Sequence, residues 1–195
     1  ILWLSQYSRD PFKSNEFPGP DRFRYRDRNP CMVSKGLVYC APQDCAEVFA
    51  LDASQGDLVW STSADQVPDC VHILGIHGDC LIVSGDRIAW IDRSSGKLRA
   101  RFPGSNTSTV LNALPTPRGM GRGMIAESKI YWPTQGKIFV FSAEVPVQES
   151  EEPLATRPIL RGEIDLGVRG RVGGNMVPTE SGFILATDSK ILAWD

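Results

Sequence analysis

Four short stretches of the chain are apolar at consecutive positions and close on a polar residue: Val48-Phe49-Ala50-Leu51-Asp52, Ile88-Ala89-Trp90-Ile91-Asp92, Ile138-Phe139-Val140-Phe141-Ser142 and Ile191-Leu192-Ala193-Trp194-Asp195. A short apolar run without alternation, bounded by turn formers, predicts a strand buried on both faces. A second strand is predicted before each of these, at Gly36-Leu37-Val38-Tyr39-Cys40, Asp79-Cys80-Leu81-Ile82-Val83, Lys129-Ile130-Tyr131-Trp132 and Gly182-Phe183-Ile184-Leu185-Ala186. A third precedes the turn that opens the second, at Cys31-Met32-Val33, Val71-His72-Ile73-Leu74, Gly123-Met124-Ile125-Ala126 and Asn175-Met176-Val177. The same order of elements therefore occurs four times.

The equivalent positions Asp52, Asp92, Ser142 and Asp195 are separated by 40, 50 and 53 residues, the spacing of a four-stranded blade with variable loops. The fourth strand follows the closing Asp through a turn, in Asp52-Ala53-Ser54-Gln55-Gly56-Asp57-Leu58-Val59-Trp60 and Asp92-Arg93-Ser94-Ser95-Gly96-Lys97-Leu98-Arg99-Ala100. The carboxylate accepts hydrogen bonds from turn amides, and the Gly takes the positive φ that closes the loop. An Asp-x-Ser-x-Gly string resembles the start of a calcium loop. The later acidic ligands are absent, so these carboxylates are read as turn caps. After Phe141-Ser142 the acidic, Pro-containing stretch from Ala143 to Pro153 is read as an exposed loop, with pairing resuming around Ile159 to Leu166.

Composition changes this picture little. The chain has 195 residues, is 42% hydrophobic and 23% charged, and carries a formal charge of -2, ordinary values for a globular protein. That balance supplies no general attraction to nucleic acid or an anionic membrane, and neither partner is expected. No apolar run reaches the length of a transmembrane helix, and Ile1-Leu2-Trp3-Leu4 is too short for a signal-peptide core. The five cysteines, Cys31, Cys40, Cys45, Cys70 and Cys80, lack paired Cys-x-x-Cys spacing and are expected to be mostly buried thiols. A hairpin turning at Ser34-Lys35-Gly36 would set Cys31 opposite Cys40, where a disulfide depends on demanding cross-strand geometry.

Candidate chemistry is sparse. Arg118-Gly119-Met120-Gly121-Arg122-Gly123-Met124 has the glycines of a phosphate cradle but leads into a strand, whereas such a site needs a following helix N-terminus. It is read as a loop crossing toward the propeller axis, with Arg169-Gly170-Arg171-Val172-Gly173-Gly174-Asn175 as its counterpart before the fourth repeat. His72 is placed on a strand and His77 in a turn, with no nucleophile elbow to make a hydrolytic triad. Arg22-Phe23-Arg24-Tyr25-Arg26-Asp27-Arg28 puts arginines on one face of an extended segment, a candidate protein or ligand contact diluted by Asp21 and Asp27. Asn106-Thr107-Ser108 fits a glycosylation sequon, read as a chance occurrence. No residue is assigned as catalytic, cofactor-binding or metal-ligating.

The segment from Ala50 to Trp60 resembles the Ala-x-Asp-x-x-x-Gly-x-x-x-Trp signature of the PQQ-like (quinoprotein alcohol dehydrogenase-like) β-propeller repeat family. The resemblance covers roughly residues 30 to 195, most closely in this repeat. It implies that Trp60, at the end of an outer strand, docks onto a neighbouring blade. Leu2-Trp3 is similar to Val59-Trp60, whereas Ala100 stands where the second repeat would carry its Trp. The expected fold is all-β, with antiparallel four-stranded propeller blades, about four of them, in a partial propeller. Residues 1-195 are read as one propeller segment: a blade tail at 1-7, a connecting loop at 8-29, and blades at about 30-62, 70-103, 121-166 and 173-195, the last truncated.

The family contains quinoprotein dehydrogenases and non-catalytic relatives that scaffold assembly at the outer membrane. Its dehydrogenases hold PQQ with a metal, acidic and amide side chains and often a vicinal cysteine pair, and no adjacent cysteines occur here. The resemblance therefore implies a non-catalytic module for protein interaction or assembly, with no cofactor. The alternative is part of a PQQ-dependent oxidoreductase using calcium. Expected partners are a protein or the remaining blades of the parent chain, with a homodimer of the isolated segment a further expectation. A bacterial cell envelope or periplasm is the implied location.

Overall fold

A computed structural model of the chain describes residues 1–8, 29–42, 45–63, 65–67, 69–104, 116–145, 157–167 and 170–194. The candidate arginine patch at 22–28 and the sequon at 106–108 lie outside the described residues, as does most of the acidic stretch.

Each repeat folds as a meander in which every strand pairs antiparallel with the next. The first sheet holds β1 (Met32–Ser34), β2 (Leu37–Cys40), β3 (Phe49–Asp52) and β4 (Leu58–Ser61) in that order. The second holds β5 (Cys70–His77), β6 (Cys80–Gly85), β7 (Ile88–Asp92) and β8 (Leu98–Phe102). The third holds β9 (Met124–Ala126), β10 (Lys129–Pro133), β11 (Lys137–Ser142) and β12 (Leu160–Asp165). The fourth holds β13 (Asn175–Pro178), β14 (Phe183–Ala186) and β15 (Ile191–Trp194), three strands among the described residues. The chain is thus all-β, built of antiparallel propeller blades.

The unbroken apolar runs follow from packing on both faces. In the second blade Leu81, Val83, Ala89 and Ile91 face the first blade, in a core with Tyr39, Val48, Ala50 and Trp60. The alternate residues Cys80, Ile82, Ile88 and Trp90 face the third blade, in a core with Ile130, Trp132, Phe139 and Phe141. A third core joins Met124, Ile138 and Leu166 to Met176, Phe183 and Leu185 across the next seam. With no solvated face, neither strand parity needs a polar residue, and the alternation of a one-sided sheet disappears.

An irregularity also repeats. The pairing of third and fourth strands shifts register between Ala50 and Leu51, between Trp90 and Ile91, and between Val140 and Phe141, the same place in three blades. A bulge here bends the outer strand and increases its twist. His77, expected in a turn, instead ends β5 opposite Cys80, because that strand runs longer than its apolar residues suggest.

Candidate functional site

Three seams are stapled at one recurrent position, the residue after the closing Asp or Ser. Ala53 donates its N–H to Gly36 O at 2.8 Å, Arg93 to Asp79 O at 2.9 Å and Ala143 to Ser128 O at 2.7 Å, each within its own blade. The carbonyl of each accepts an indole N–H from outside that blade. Trp3 reaches Ala53 O at 3.0 Å, Trp60 reaches Arg93 O at 2.9 Å and Trp90 reaches Ala143 O at 3.1 Å. Trp60 therefore docks on the next blade, as its place at the end of an outer strand implies. Trp3 repeats that contact on the first blade, where Tyr7 also lies 5.7 Å from Phe49.

The turns beneath the Trp3 and Trp60 rings are shaped for them. Asp52 Oδ1 accepts from Ser54 N at 2.8 Å, Ser54 Oγ at 2.5 Å and Gln55 N at 2.9 Å. Asp92 Oδ1 repeats the arrangement with the amides and hydroxyls of Ser94 and Ser95 at 2.6–3.0 Å. Gly56 and Gly96 follow at φ +79° and +72°, and a Cβ on either would collide with the ring of Trp3 or Trp60. Glycine is needed twice over, for the left-handed backbone and for the ring's approach. These Asp residues are turn caps, as the sequence pattern indicates.

Trp90 is the docking residue that the sequence pattern misses. In the first blade Ala50 on β3 pairs with Trp60 on β4, whereas in the second Trp90 on β7 pairs with Ala100 on β8. The large and small residues have exchanged strands within one cross-strand pair. Ala100, fully buried, leaves the space that the Trp90 ring fills, and the acceptor carbonyl keeps its place. The signal lay in the pair rather than in either position alone.

The inner strands define the second feature. β5 touches β9 and β9 touches β13, and a groove of about 490 Å³ opens along them, lined by Asn29, His72, Leu74, Arg122, Met124, Asn175 and Met176 among others. Arg122, Gly123 and Met124 of the first glycine-rich stretch and Asn175 of the second line it. Gly121, at φ +87°, has the Gly174 backbone where a Cβ would stand. Arg122 N donates to Asn175 Oδ1 at 2.8 Å, and Arg122 Nη2 donates to Ile73 O at 3.2 Å. Asn29 bridges the first and second blades, with Nδ2 donating to Ala41 O at 3.1 Å and Oδ1 accepting from Ile73 N at 3.2 Å. Its polar side chains thus stitch neighbouring inner strands together.

Other charged groups also serve local structure. Buried Asp69 receives Arg87 N at 2.6 Å, Nε at 2.9 Å and Nη2 at 2.7 Å, closing the start of the second blade over Gly85. Arg93 pairs with Asp79 at 3.2 Å on the turn that its own backbone engages. Among the described residues, no three His, Cys, Asp or Glu side chains gather as a metal site.

No known protein family matches the sequence, and no curated protein matches it. Solved structures do resemble the fold. The computationally designed Ika4 protein has a TM-score of 0.53 at 9% identity, over 85% of this chain and 89% of its own. BamB from Moraxella catarrhalis has a TM-score of 0.49 at 15% identity over 77% of this chain. A quinohemoprotein alcohol dehydrogenase from Pseudomonas putida HK5 has a TM-score of 0.48 at 16% identity over 70% of this chain. The chain spans 39% of the length of BamB and 20% of that of the dehydrogenase. At identities this low the likeness concerns the fold alone.

Proposed function

We propose that the chain is a non-catalytic β-propeller module that acts as a scaffold for protein interaction or assembly in the cell envelope. One observation carries this reading: the carboxylates described at the turns and the amide and guanidinium side chains described in the groove are engaged in holding the fold together. The carboxylates of Asp52, Asp92 and Asp69 hold turns or an arginine, and Asn29, Arg122 and Asn175 join inner strands. A platform rigid at its perimeter and its axis presents its loops and outer surface in fixed positions, which is what a binding scaffold requires.

The contrasting function is quinone-dependent oxidation. The test is reconstitution of the full-length protein with PQQ and calcium, followed by quinone absorbance and reduction of an artificial electron-accepting dye. The scaffold reading expects neither retained quinone nor dye reduction; cofactor-dependent turnover would overturn it.

A further inference from the structure

The hairpin of β1 and β2 brings two thiols together beside the groove. Its turn is Lys35-Gly36, with φ of 48° and 78°, the left-handed pair of a two-residue type I′ loop. The register Ser34↔Leu37, Val33↔Val38 and Met32↔Tyr39, extended by one residue, sets Cys31 opposite Cys40. In such a hairpin the pair flanking the turn is hydrogen-bonded and the pairs then alternate, so Cys31 and Cys40 form a non-hydrogen-bonded pair. Pairs of that class bring Cα atoms to about 4.5 Å, inside the range a disulfide spans. The two sulfurs stand 3.4 Å apart as a thiol–thiol hydrogen bond.

We propose that Cys31 and Cys40 are a thiol–disulfide site whose oxidation locks the inner seam between the first and second blades. The two thiols are chemically unequal. Cys31 is exposed, and its thiol is lowered to about 6, chiefly by the hydrogen bond from Cys40, against the opposing effect of its partial burial. Cys40 is buried and raised, first by that same hydrogen bond and then by burial. Cys31 is the accessible thiolate and Cys40 the resolving thiol.

With a small-molecule disulfide such as oxidised glutathione as oxidant, the Cys31 thiolate attacks one glutathione sulfur and displaces the other as a thiolate. Cys40 then attacks the Cys31 sulfur of the mixed disulfide, its proton passing to the departing second glutathione. Two protein thiols and one glutathione disulfide thus become one protein disulfide and two glutathione thiols. The bond closes the rung that Asn29 already holds. Asn29 lies two residues before Cys31 and donates to Ala41 O, next to Cys40, while accepting from Ile73 N of β5. Oxidation therefore fixes the segment that ties the first blade to the second.

The test incubates the folded protein in glutathione buffers of increasing oxidised fraction, followed by acid quench, thiol counting and peptide mapping. Trypsin separates the two cysteines by cutting after Lys35, giving peptides Asn29–Lys35 and Gly36–Arg87. Oxidation is expected to remove two of the five thiols, to link those two peptides, and to slow amide exchange at Ile73. Cys31→Ser, a substitution at an exposed position, should lose no thiol on oxidation. Cys45→Ser should still form the bridge, which separates Cys40 from its buried neighbour Cys45. A full complement of thiols after oxidation, glutathione retained on Cys31 alone, a bridge lost in Cys45→Ser, or unchanged exchange at Ile73 would overturn the proposal.

Discussion

Ala53, Arg93 and Ala143 hold the same place in three successive blades, and each is gripped through its backbone, the N–H by its own blade and the carbonyl by a tryptophan. Because the grip uses only the backbone of the residue held, alanine and arginine both serve, and sequence alone does not mark the position. The residue before it is marked in two of the three blades, by Asp52 and Asp92. Asp52 is held below the usual carboxylate range by the hydroxyl and amide of Ser54 and the amide of Gln55. Burial pushes Asp92 up, but the hydrogen bonds from Ser94 and Ser95 together outweigh it and leave that carboxyl lowered too. A depressed folded value contributes stability above the unfolded value near 3.9, and this is lost as pH falls through the folded value. The melting temperature is therefore expected to fall on acidification below about pH 4, with a smaller acid loss in Asp92→Ala. At neutral pH that variant should melt about 2–4 °C lower, the shift that ~1 kcal/mol produces in a chain of this size. Thermal melts of both proteins across acid pH check this.

At the scale of the strand, the exchange between Ala50/Trp60 and Trp90/Ala100 makes the cross-strand pair the unit that specifies a seam. Each ring is buried, so Trp60→Ala and Trp90→Ala should each cost about 3–5 kcal/mol of unfolding free energy in denaturant titrations. Ala100→Trp alone overpacks the occupied space and should cost about 1–3 kcal/mol. The double substitution W90A with A100W restores the arrangement of the first blade and should recover more than half of the loss from Trp90→Ala. Additive losses would show that the two sites are independent. The strands and turns were legible in the sequence because apolar runs and Asp/Gly spacing are local. Ala100 read as a defect because its compensation, Trp90, sits ten residues away on the partner strand.

For the molecule as a whole, what was not legible is what depends on blades meeting. Asn29, Arg122 and Asn175 are far apart in sequence and are linked, through Ile73 and the Arg122–Asn175 bond, only because β5, β9 and β13 lie side by side. Apolar side chains remain exposed at both ends of the array, with Ile1 and Leu2 at one and Val177 and Ile191 on the fourth blade. An exposed strand edge with apolar neighbours invites pairing. The 195-residue chain in isolation is therefore expected to sediment as a dimer at high concentration, and a compact monomer there would refute it. The docked indoles also act as reporters. Trp3, Trp60 and Trp90 lie at three successive seams, each donating to a backbone carbonyl, and an indole passing from such a site into water shifts its emission to the red. The chain therefore carries its own fluorophore at three joints, and replacing these rings one at a time with phenylalanine, against the constant emission of Trp132 and Trp194, assigns the red shift of each to its own joint.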